Sequence, residues 1–437
     1  MTDTIDTTFD NLVAEHFGAR LPQQLAAGIS WTALHSDARQ FILRMFSLMK
    51  GARCRVTDFT PYLVRVIFTM VPSVLPFAWG GRIPPLTIPN RHHKLDVYVE
   101  QLYGNQEDDP AVFVDLGCGF PPVTTVETAH YFKGWQIYGV DRSFAEYVLY
   151  DAEGHYACFD GEGLFQYFQP QMIPSGRAMY ENPAATRTYF QNLFAAMAPM
   201  IDSVNPKNSQ TIEANGNRLV HNLIRTFESE NLHFIESELQ GLDLPPASVI
   251  RCMNMLIYFP PAIRRQILRQ AGGILADDGI VIAGTNGFGI DGRYTVYRKD
   301  GDGIRPDEFA FGMENLRTFW VMPWFTIHDN DPEAGLLSRL MGVIRSDRSY
   351  WPMFTKRVDA LLDRYQICRR ENDGYLHFET VETPGPVLLG KLAGVWRQIK
   401  AEGYLNGAVE ALSRAGYSAW ENRIGDIAVR PPADALP

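Results

Sequence analysis

A glycine-containing turn is the feature of this sequence whose residue types and spacing could do chemistry. It reads Val114-Asp-Leu-Gly-Cys-Gly-Phe120, follows an apolar run that ends at Leu116, and precedes a predicted helix over 123–132. Glycines at 117 and 119 let the backbone turn sharply and approach a ligand without a side chain in between. Asp115 could accept a hydrogen bond from a ligand ammonium. This arrangement predicts a ligand site, and a purely structural turn is the alternative.

Two further acidic residues follow predicted strands. Asp141 ends the second strand, 135–141, where a carboxylate is placed to bind both hydroxyls of a ribose. Glu238 and Leu239 follow the third strand, 232–237, where a polar and an apolar side chain can hold the edge and the face of an adenine. The structural alternatives are a helix N-cap for Asp141 and an exposed loop acid for Glu238. The combination favours a nucleoside-containing ligand.

These motifs resemble the cofactor motifs of the class I S-adenosylmethionine (SAM)-dependent methyltransferases. The resemblance covers about residues 106–286 and 406–430. It implies SAM as the cofactor, with the glycine turn (Gly117, Cys118 and Gly119) facing the methionine part. It also implies that Asp141, next to Arg142, binds the ribose. A dehydrogenase is disfavoured, because Pro122 stands where the dinucleotide fingerprint needs its third small residue.

The fourth predicted strand carries a second, local resemblance. The segment 251–259, Arg-Cys-Met-Asn-Met-Leu-Ile-Tyr-Phe, is similar to the strand-four segment of the chemotaxis-receptor glutamate methyltransferases. In that family the segment lines the cofactor pocket beside the reacting methyl. The similarity implies cofactor contacts from Asn254 and Met255 and a catalytic role for Tyr258, whose alternative is packing under the following helix. The basic surface of that family is not visible in this acidic chain, so the match is local.

The predicted elements that must position these residues form an α/β fold. Strands and helices alternate, which predicts a parallel sheet covered on both faces. Helices are predicted over Asn215–Glu228 and Ala262–Leu275, and the C-terminus reads as a helix followed by two antiparallel strands. We therefore expect a class I methyltransferase (Rossmann-like) sheet, parallel with a C-terminal antiparallel hairpin. The predicted strands are 111–116, 135–141, 232–237, 248–253, 279–284, 417–421 and 426–430.

The predicted domain organisation adds segments to this core. Residues 1–105 form a mostly helical N-terminal region, and the core comprises 106–285 and 406–437. Residues 145–170 read as a hairpin-like insertion, and 286–405 as a large insertion after strand five that caps the substrate. Because ligands bind outside the carboxyl ends of the strands, these segments could cover the same crevice.

The predicted reaction is methyl transfer to a small-molecule acceptor, with O, N, S and C all open as the acceptor atom. Such an enzyme mainly positions two reactants and excludes water, and it needs a base only if a proton must leave. His328 is the expected orienting or basic group, with Tyr258, and the other candidate bases are His130, His155 and His221. A protein carboxylate methyltransferase and a SAM-binding protein without methyl transfer are the alternatives.

Composition limits the partners. The chain has 437 residues, 46 % hydrophobic and 21 % charged, with a formal net charge of −10 and no long basic run, which argues against nucleic acid as a partner. The most apolar stretch, 62–77, is interrupted by Arg65 and two prolines, so no membrane span is expected. The five cysteines are scattered along the sequence, so neither disulfides nor a metal site is expected. A reducing compartment fits this pattern, and we expect a cytoplasmic protein. The sequence does not predict the oligomeric state, and a homodimer is one of the options.

Overall fold

The computed structural model describes residues 7–22, 25, 30–81, 83, 87–104, 111–171, 174–201, 208–238, 242–287, 292–301, 303–377 and 386–432. Its helices are α1 (Thr7–Phe17), α2 (Ser36–Gly51), α3 (Pro61–Val74), α4 (His93–Tyr103), α5 (Val123–Tyr131), α6 (Pro174–Glu181), α7 (Pro183–Met197), α8 (Pro261–Gly273), α9 (Pro332–Ser346), α10 (Trp351–Arg364), α11 (Pro386–Ala401) and α12 (Tyr404–Arg414). Short 3-10 helices occur at Val56–Asp58, Pro76–Trp79, Ala198–Met200, Leu223–Thr226, Leu256–Tyr258, Met313–Leu316 and Met322–Trp324.

The strands belong to a large sheet, a smaller inserted sheet and one isolated pair. They are β1 (Val112–Leu116), β2 (Gln136–Asp141), β3 (Tyr147–Tyr150), β4 (Tyr156–Phe159), β5 (Phe165–Gln169), β6 (Gln210–Ala214), β7 (Asn217–His221), β8 (Leu232–Glu236), β9 (Ala247–Met253), β10 (Leu275–Asn286), β11 (Gly292–Asp300), β12 (Gly303–Phe311), β13 (Arg369–Arg370), β14 (Leu376–His377), β15 (Ala419–Glu421) and β16 (Ile427–Val429).

Five parallel strands form one half of the large sheet, at the positions predicted from the sequence. Their order across the sheet is β8-β2-β1-β9-β10. In chain order this reads 3-2-1-4-5, as in the doubly wound nucleotide-binding folds. Every residue of β1 is buried, as expected for a strand covered by helices on both faces. The direction of winding reverses between β1 and β9, and such a reversal opens a crevice at the carboxyl ends of the strands.

The other half of the large sheet is antiparallel and corrects the predicted boundary at residue 286. The hairpin of β11 and β12 lies within the sheet, between β10 and β16. Residues 292–311 are therefore not a cap, and β15 and β16 reach the sheet of β1 only through this hairpin. The charged residues near the hairpin turn, such as Arg298 and Lys299, obscured the strand pattern, although Asp300-Gly301 is a known hairpin-turn signal.

The inserted sheet lies between β2 and β8 in the chain and extends further than predicted. Its order is β5-β4-β3-β7-β6, so the insertion is not confined to 145–170. The helix predicted over Asn215–Glu228 is wrong: the stretch contains β7 and a 3-10 turn. The reason is the dipeptide Asn215-Gly216, which joins β6 to β7 with both residues at positive φ (51° and 79°). Asn-Gly in this conformation closes a hairpin and is incompatible with a continuous helix.

The helices cover the sheet in separate groups. Helices α4 and α5 pack on one face together with the inserted sheet, and α8 packs on the opposite face of the parallel half. Helices α1–α3 share a single apolar core with α9–α12, which covers that opposite face over β12 and β16. The predicted N-terminal helical region and the later part of the predicted cap are therefore one layer. Within the described residues, no helix has the length and apolar character needed to cross a lipid bilayer.

Gly342 in α9 is placed where a side chain has no room. A Cβ atom there would lie 2.6 Å from the carbonyl oxygen of Gly51, at the end of α2. We expect Gly342→Ala to lower the free energy of unfolding by about 1–3 kcal/mol, because the two helices must separate. In the same helix, Gly335→Ala meets its nearest atom at 3.8 Å and should gain about 0.5–1 kcal/mol from helix propensity. Urea denaturation measures both, and equal losses would contradict the packing argument.

Candidate functional site

The glycine turn after β1 lies at the point where the winding of the sheet reverses. Gly117 and Gly119 both have positive φ (71° and 72°), as the sequence predicted for a sharp turn. The backbone N–H groups of Gly117 and Cys118 donate to the carbonyl oxygen of Val140, at 2.8 and 3.2 Å. A Cβ on Gly117 would lie 2.7 Å from Sδ of Met255. The turn is thus held between the carboxyl ends of β2 and β9.

Asp141 lies directly against this turn. Its carboxylate accepts hydrogen bonds from the N–H groups of Gly119, at 3.0 Å, and Arg142, at 2.7 Å. Burial raises the pKa of Asp141, and the backbone N–H groups around it oppose that rise. A carboxylate fixed in this way next to a glycine turn can accept hydrogen bonds from vicinal hydroxyls.

Arg142 and Glu238 form an exposed ion pair across the ends of β2 and β8. Their Nε and Oε1 atoms are 3.6 Å apart, with side-chain exposures of 84 % and 68 %. Leu239, the predicted apolar partner of Glu238, lies outside the described residues. A cavity of about 220 Å³ opens beside this edge, lined by Phe144, Ala145, Glu146, Asn222, Ile224, Arg225, Phe234 and Glu236. This cavity is bounded by β8 and by the inserted sheet, and Asp141, Arg142 and Glu238 are not among its lining residues.

Asp115 is not free to bind a ligand ammonium, which corrects the sequence interpretation. The residue is 3 % exposed, and its carboxylate accepts from Nε and Nη2 of Arg251, at 3.0 and 2.7 Å. It also accepts from Oγ1 of Thr125 in α5, at 2.6 Å. Buried charges need partners of this kind. Asp115 therefore fixes the strand under the turn to its neighbour and to α5, and a ligand would meet the backbone of the turn instead.

Arg251 is shared between two carboxylates. Its Nη1 donates to Oδ1 of Asp96 in α4, at 2.8 Å, and to Oγ1 of Thr128, at 2.9 Å. Burial outweighs the opposing effect of the Arg251 guanidinium and raises the pKa of Asp96 to about 7. This network was not predicted from the sequence. Its signal was an arginine inside the otherwise apolar strand 248–253, since a buried arginine requires partners.

Asn254, at the end of β9, binds the end of β10. It adopts positive φ (59°), its Nδ2 donates to Oδ1 of Asn286, and its Oδ1 accepts from the N–H of Asn286, both at 2.9 Å. Asn286 Nδ2 in turn donates to the carbonyl oxygen of Arg91, at 2.7 Å, and to Nδ1 of His92, at 3.2 Å. The predicted contact residue Asn254 is thus joined to the N-terminal region.

Residues 87–92 form a segment that we call the N-terminal strap. It runs along α5, where the N–H of Asn90 donates to Glu127. It then reaches the end of β10, where Nε of Arg91 donates to the carbonyl oxygen of Gly287, at 3.0 Å. The buried His92 has a pKa well below its ordinary value, because of burial and the nearby Arg251 and Arg91. His92 and Asn286 were not among the predicted site residues, since nothing local in the sequence marks them.

Tyr258 and His328, the predicted catalytic residues, contact each other through the backbone. Nε2 of His328 donates to the carbonyl oxygen of Tyr258, at 2.9 Å. Burial raises the pKa of the Tyr258 hydroxyl. Nearby, the buried Arg264 of α8 binds Asp331 and Glu333, at 2.7 and 3.1 Å. This geometry supports a role for His328 in holding its segment on α8, and a catalytic role for either residue stays a prediction.

The remaining candidate bases lie elsewhere. His130 is exposed at the end of α5. His155 and His221 are buried in the inserted sheet, bound to Glu153 and Glu146, both at 3.1 Å. The aromatic residues of 309–325 mostly pack in the helical core, as Trp320 and Trp324 illustrate. The structure therefore does not bring these histidines to the glycine turn.

Comparisons with known proteins find no matching family model and no matching curated protein. Among solved structures, the chain is similar to a magnesium protoporphyrin IX methyltransferase from Synechocystis with bound SAM, at 11 % identity and TM-score 0.21, over 44 % of this chain and 58 % of that chain. A putative O-methyltransferase from Nostoc punctiforme has 14 % identity and TM-score 0.21, over 63 % and 62 %.

A plantazolicin methyltransferase in complex with S-adenosylhomocysteine (SAH) has 8 % identity and TM-score 0.25, over 90 % of this chain and 100 % of that chain. The chain thus spans less than two thirds of the length of the first two structures. Because the identities and TM-scores are all low, these similarities add nothing to the geometry described above.

Proposed function

We propose that this chain is a SAM-dependent methyltransferase acting on a small-molecule acceptor. The observation that carries the proposal is the position of the glycine turn. Gly117 and Gly119 lie where the winding reverses between β1 and β9, the preferred ligand position in such sheets, and the carboxylate of Asp141 binds the same turn. A nucleoside ligand with an extended tail matches a turn and an acid arranged in this way.

We assign each predicted site residue to one part of the cofactor. The backbone of Gly117, Cys118 and Gly119 would hold the methionine part, and Asp141 would accept from the ribose hydroxyls. Arg142, Glu238 and Leu239 would surround the adenine, while Asn254 and Met255 would lie at the methyl end. A dinucleotide is a poorer fit, because Pro121 and Pro122 stand where a pyrophosphate needs close backbone approach at the start of the helix.

Bound SAM would supply an electrophilic methyl group on a sulfonium. The chain's own contribution is to position the acceptor in line and to exclude water, which can account for roughly 7–11 kcal/mol of barrier lowering. The N-terminal strap is hydrogen-bonded to Asn286 at the end of β10, and we propose that it limits access to the methyl end. Limited access favours a small acceptor over a folded protein.

Asp141→Ala tests the ribose assignment. We expect the variant to bind SAM about 10- to 150-fold more weakly, since the lost hydrogen bonds to a charged group contribute about 1.5–3 kcal/mol. Asp277→Ala is the matched control, because Asp277 is exposed near the start of β10, at the opposite edge of the sheet. Isothermal titration calorimetry gives both affinities. Equal SAM affinity in the two variants would remove the assignment, and no SAM binding to the wild type would overturn the proposed function.

A further inference from the structure

Thr125 closes the chain segment that carries the glycine turn. This turn, at residues 117–119, lies between β1 and α5, and Thr125 is in the first turn of α5. The Thr125 hydroxyl donates to Oδ2 of Asp115 on β1, at 2.6 Å, so a single hydrogen bond joins the two ends of the segment. Thr125 is fully buried and Asp115 is 3 % exposed, so water cannot readily replace this bond.

The acceptor of this hydrogen bond has a fixed orientation of its own. The same Oδ2 atom of Asp115 accepts from Nη2 of Arg251 on β9, at 2.7 Å, and Oδ1 accepts from Nε, at 3.0 Å. A carboxylate paired with a guanidinium in this way can only accept, so the hydroxyl proton of Thr125 points at Asp115. The start of α5 is therefore held at one position relative to both β1 and β9.

The two branches of the Thr125 side chain have separate contacts. A Cβ atom on Gly139 of β2 would lie 3.2 Å from Cγ2 of Thr125, so the methyl group packs on the sheet. The hydroxyl adjoins the Cys118 thiol in the glycine turn. Burial raises the pKa of that thiol well above its ordinary value, and the Thr125 hydroxyl opposes the rise. Because the hydroxyl contacts the turn and the methyl group contacts the sheet, substitutions can remove either one alone.

The conformation of the turn would decide how the proposed cofactor is held. The turn also contacts the end of β2, where the N–H of Gly119 donates to Asp141, at 3.0 Å. We propose that Thr125 is a positioning residue, whose hydrogen bond to Asp115 holds the glycine turn in the conformation that binds the methionine part of SAM; this rests on the proposed function. Without the bond, the turn must be ordered when the cofactor binds, and that cost weakens binding.

Thr128 offers a matched comparison in the same helix. It is also fully buried, and its hydroxyl also donates to a carboxylate that Arg251 binds, at Oδ1 of Asp96, at 3.0 Å. That hydrogen bond joins α5 to α4, however, and not to the strand before the glycine turn. Loss of either hydroxyl should therefore lower the stability of the fold to a similar extent, while only the loss at Thr125 should change the affinity for the cofactor.

The test uses variants of the full chain that differ by a hydroxyl alone, with SAM as the probe. Thr125→Val keeps the methyl group and removes the hydroxyl, and we expect it to bind SAM about 3- to 10-fold more weakly, as when a side chain or loop must be ordered on binding. Thr125→Ser keeps the hydroxyl, and Thr128→Val removes the control hydroxyl, so both should bind SAM about as tightly as the wild type. Isothermal titration calorimetry gives the affinities, and thermal unfolding gives the stabilities.

A second pair of variants keeps the outcome decisive if Thr125→Val does not fold. Thr125→Ala and Thr125→Ser also differ by the hydroxyl alone, so Thr125→Ala should bind SAM more weakly than Thr125→Ser by a similar factor. Unchanged SAM affinity in the variants that lack the Thr125 hydroxyl overturns the proposal. An equal loss of affinity in Thr125→Ser or in Thr128→Val overturns it as well, because lost packing or lost stability would then be the cause. Failure of the wild type to bind SAM is a separate result and overturns the proposed function itself.

Discussion

Replacing Arg251 by methionine is expected to lower the free energy of unfolding by about 3–5 kcal/mol. The side chain is fully buried, and it is the charged partner of both Asp115 and Asp96. Without the guanidinium, the buried carboxylate of Asp115 keeps its desolvation cost and loses its compensating charge, and the pKa of Asp96, already about 7, rises further. Because the network joins β1, β9, α4 and α5, the loss extends to the support of the glycine turn. Urea denaturation monitored by circular dichroism measures the change.

Arg265→Met is the matched control for this variant. Arg265 follows the buried Arg264 in α8 and is exposed, so its replacement should change stability by no more than about 0.5 kcal/mol. Adding Asp96→Asn and Asp115→Asn to Arg251→Met should recover part of the loss, because the unpaired charges are then removed together. A loss below about 1 kcal/mol for Arg251→Met alone would show that the network contributes little.

Asp96→Asn is expected to stabilise the protein at neutral pH, although it removes an ion-pair partner of Arg251. The folded pKa of Asp96 is raised from 3.8 to about 7, so folding favours its protonated form. The corresponding stability is fully present below pH 4 and is lost as pH rises through 7, by up to about 4 kcal/mol. An asparagine stays neutral throughout. The difference in stability between variant and wild type should therefore grow between pH 4 and 8.

Asp58→Asn provides a comparison of opposite sign. Asp58 is also buried, but neighbouring arginines, Arg317 and Arg55 foremost, outweigh its burial and lower its pKa from 3.8 to about 2. Its stabilising effect is present above pH 4 and is lost as pH falls through 2. The variant should thus be less stable than the wild type at pH 7, by about 2 kcal/mol. Chemical denaturation across the pH range measures the free energy of unfolding of both variants. If the two variants differed from the wild type in the same way at every pH, the raised pKa of Asp96 would be contradicted.

The parallel half of the sheet could be predicted from the sequence because its signals are local. Strand β1 and the centre of β10 are nearly continuous apolar runs, and the helices α5 and α8 follow at the expected places. The glycine turn and Asp141 lie at strand ends, so locating those strands also located this part of the candidate site.

The rest of the fold depends on contacts between distant segments. Local pattern does not show that β11 and β12 separate β10 from β16, because pairing between strands is decided by tertiary packing. In the site, Asn286 is defined by its bonds to Asn254 and to His92, which is distant in the sequence. Asp115 was assigned to a ligand because its partner Arg251 could not be recognised from spacing.

The shared core of α1–α3 and α9–α12 has a consequence for synthesis on the ribosome. At about 5–20 residues per second, the interval between the emergence of Val74 and that of Pro332 is on the order of tens of seconds. During this time the apolar side chains of α1–α3, such as Phe41, Met45 and Phe46, lack the helices that bury them. The nascent chain therefore exposes an apolar surface of the kind that chaperones bind until the later helices emerge.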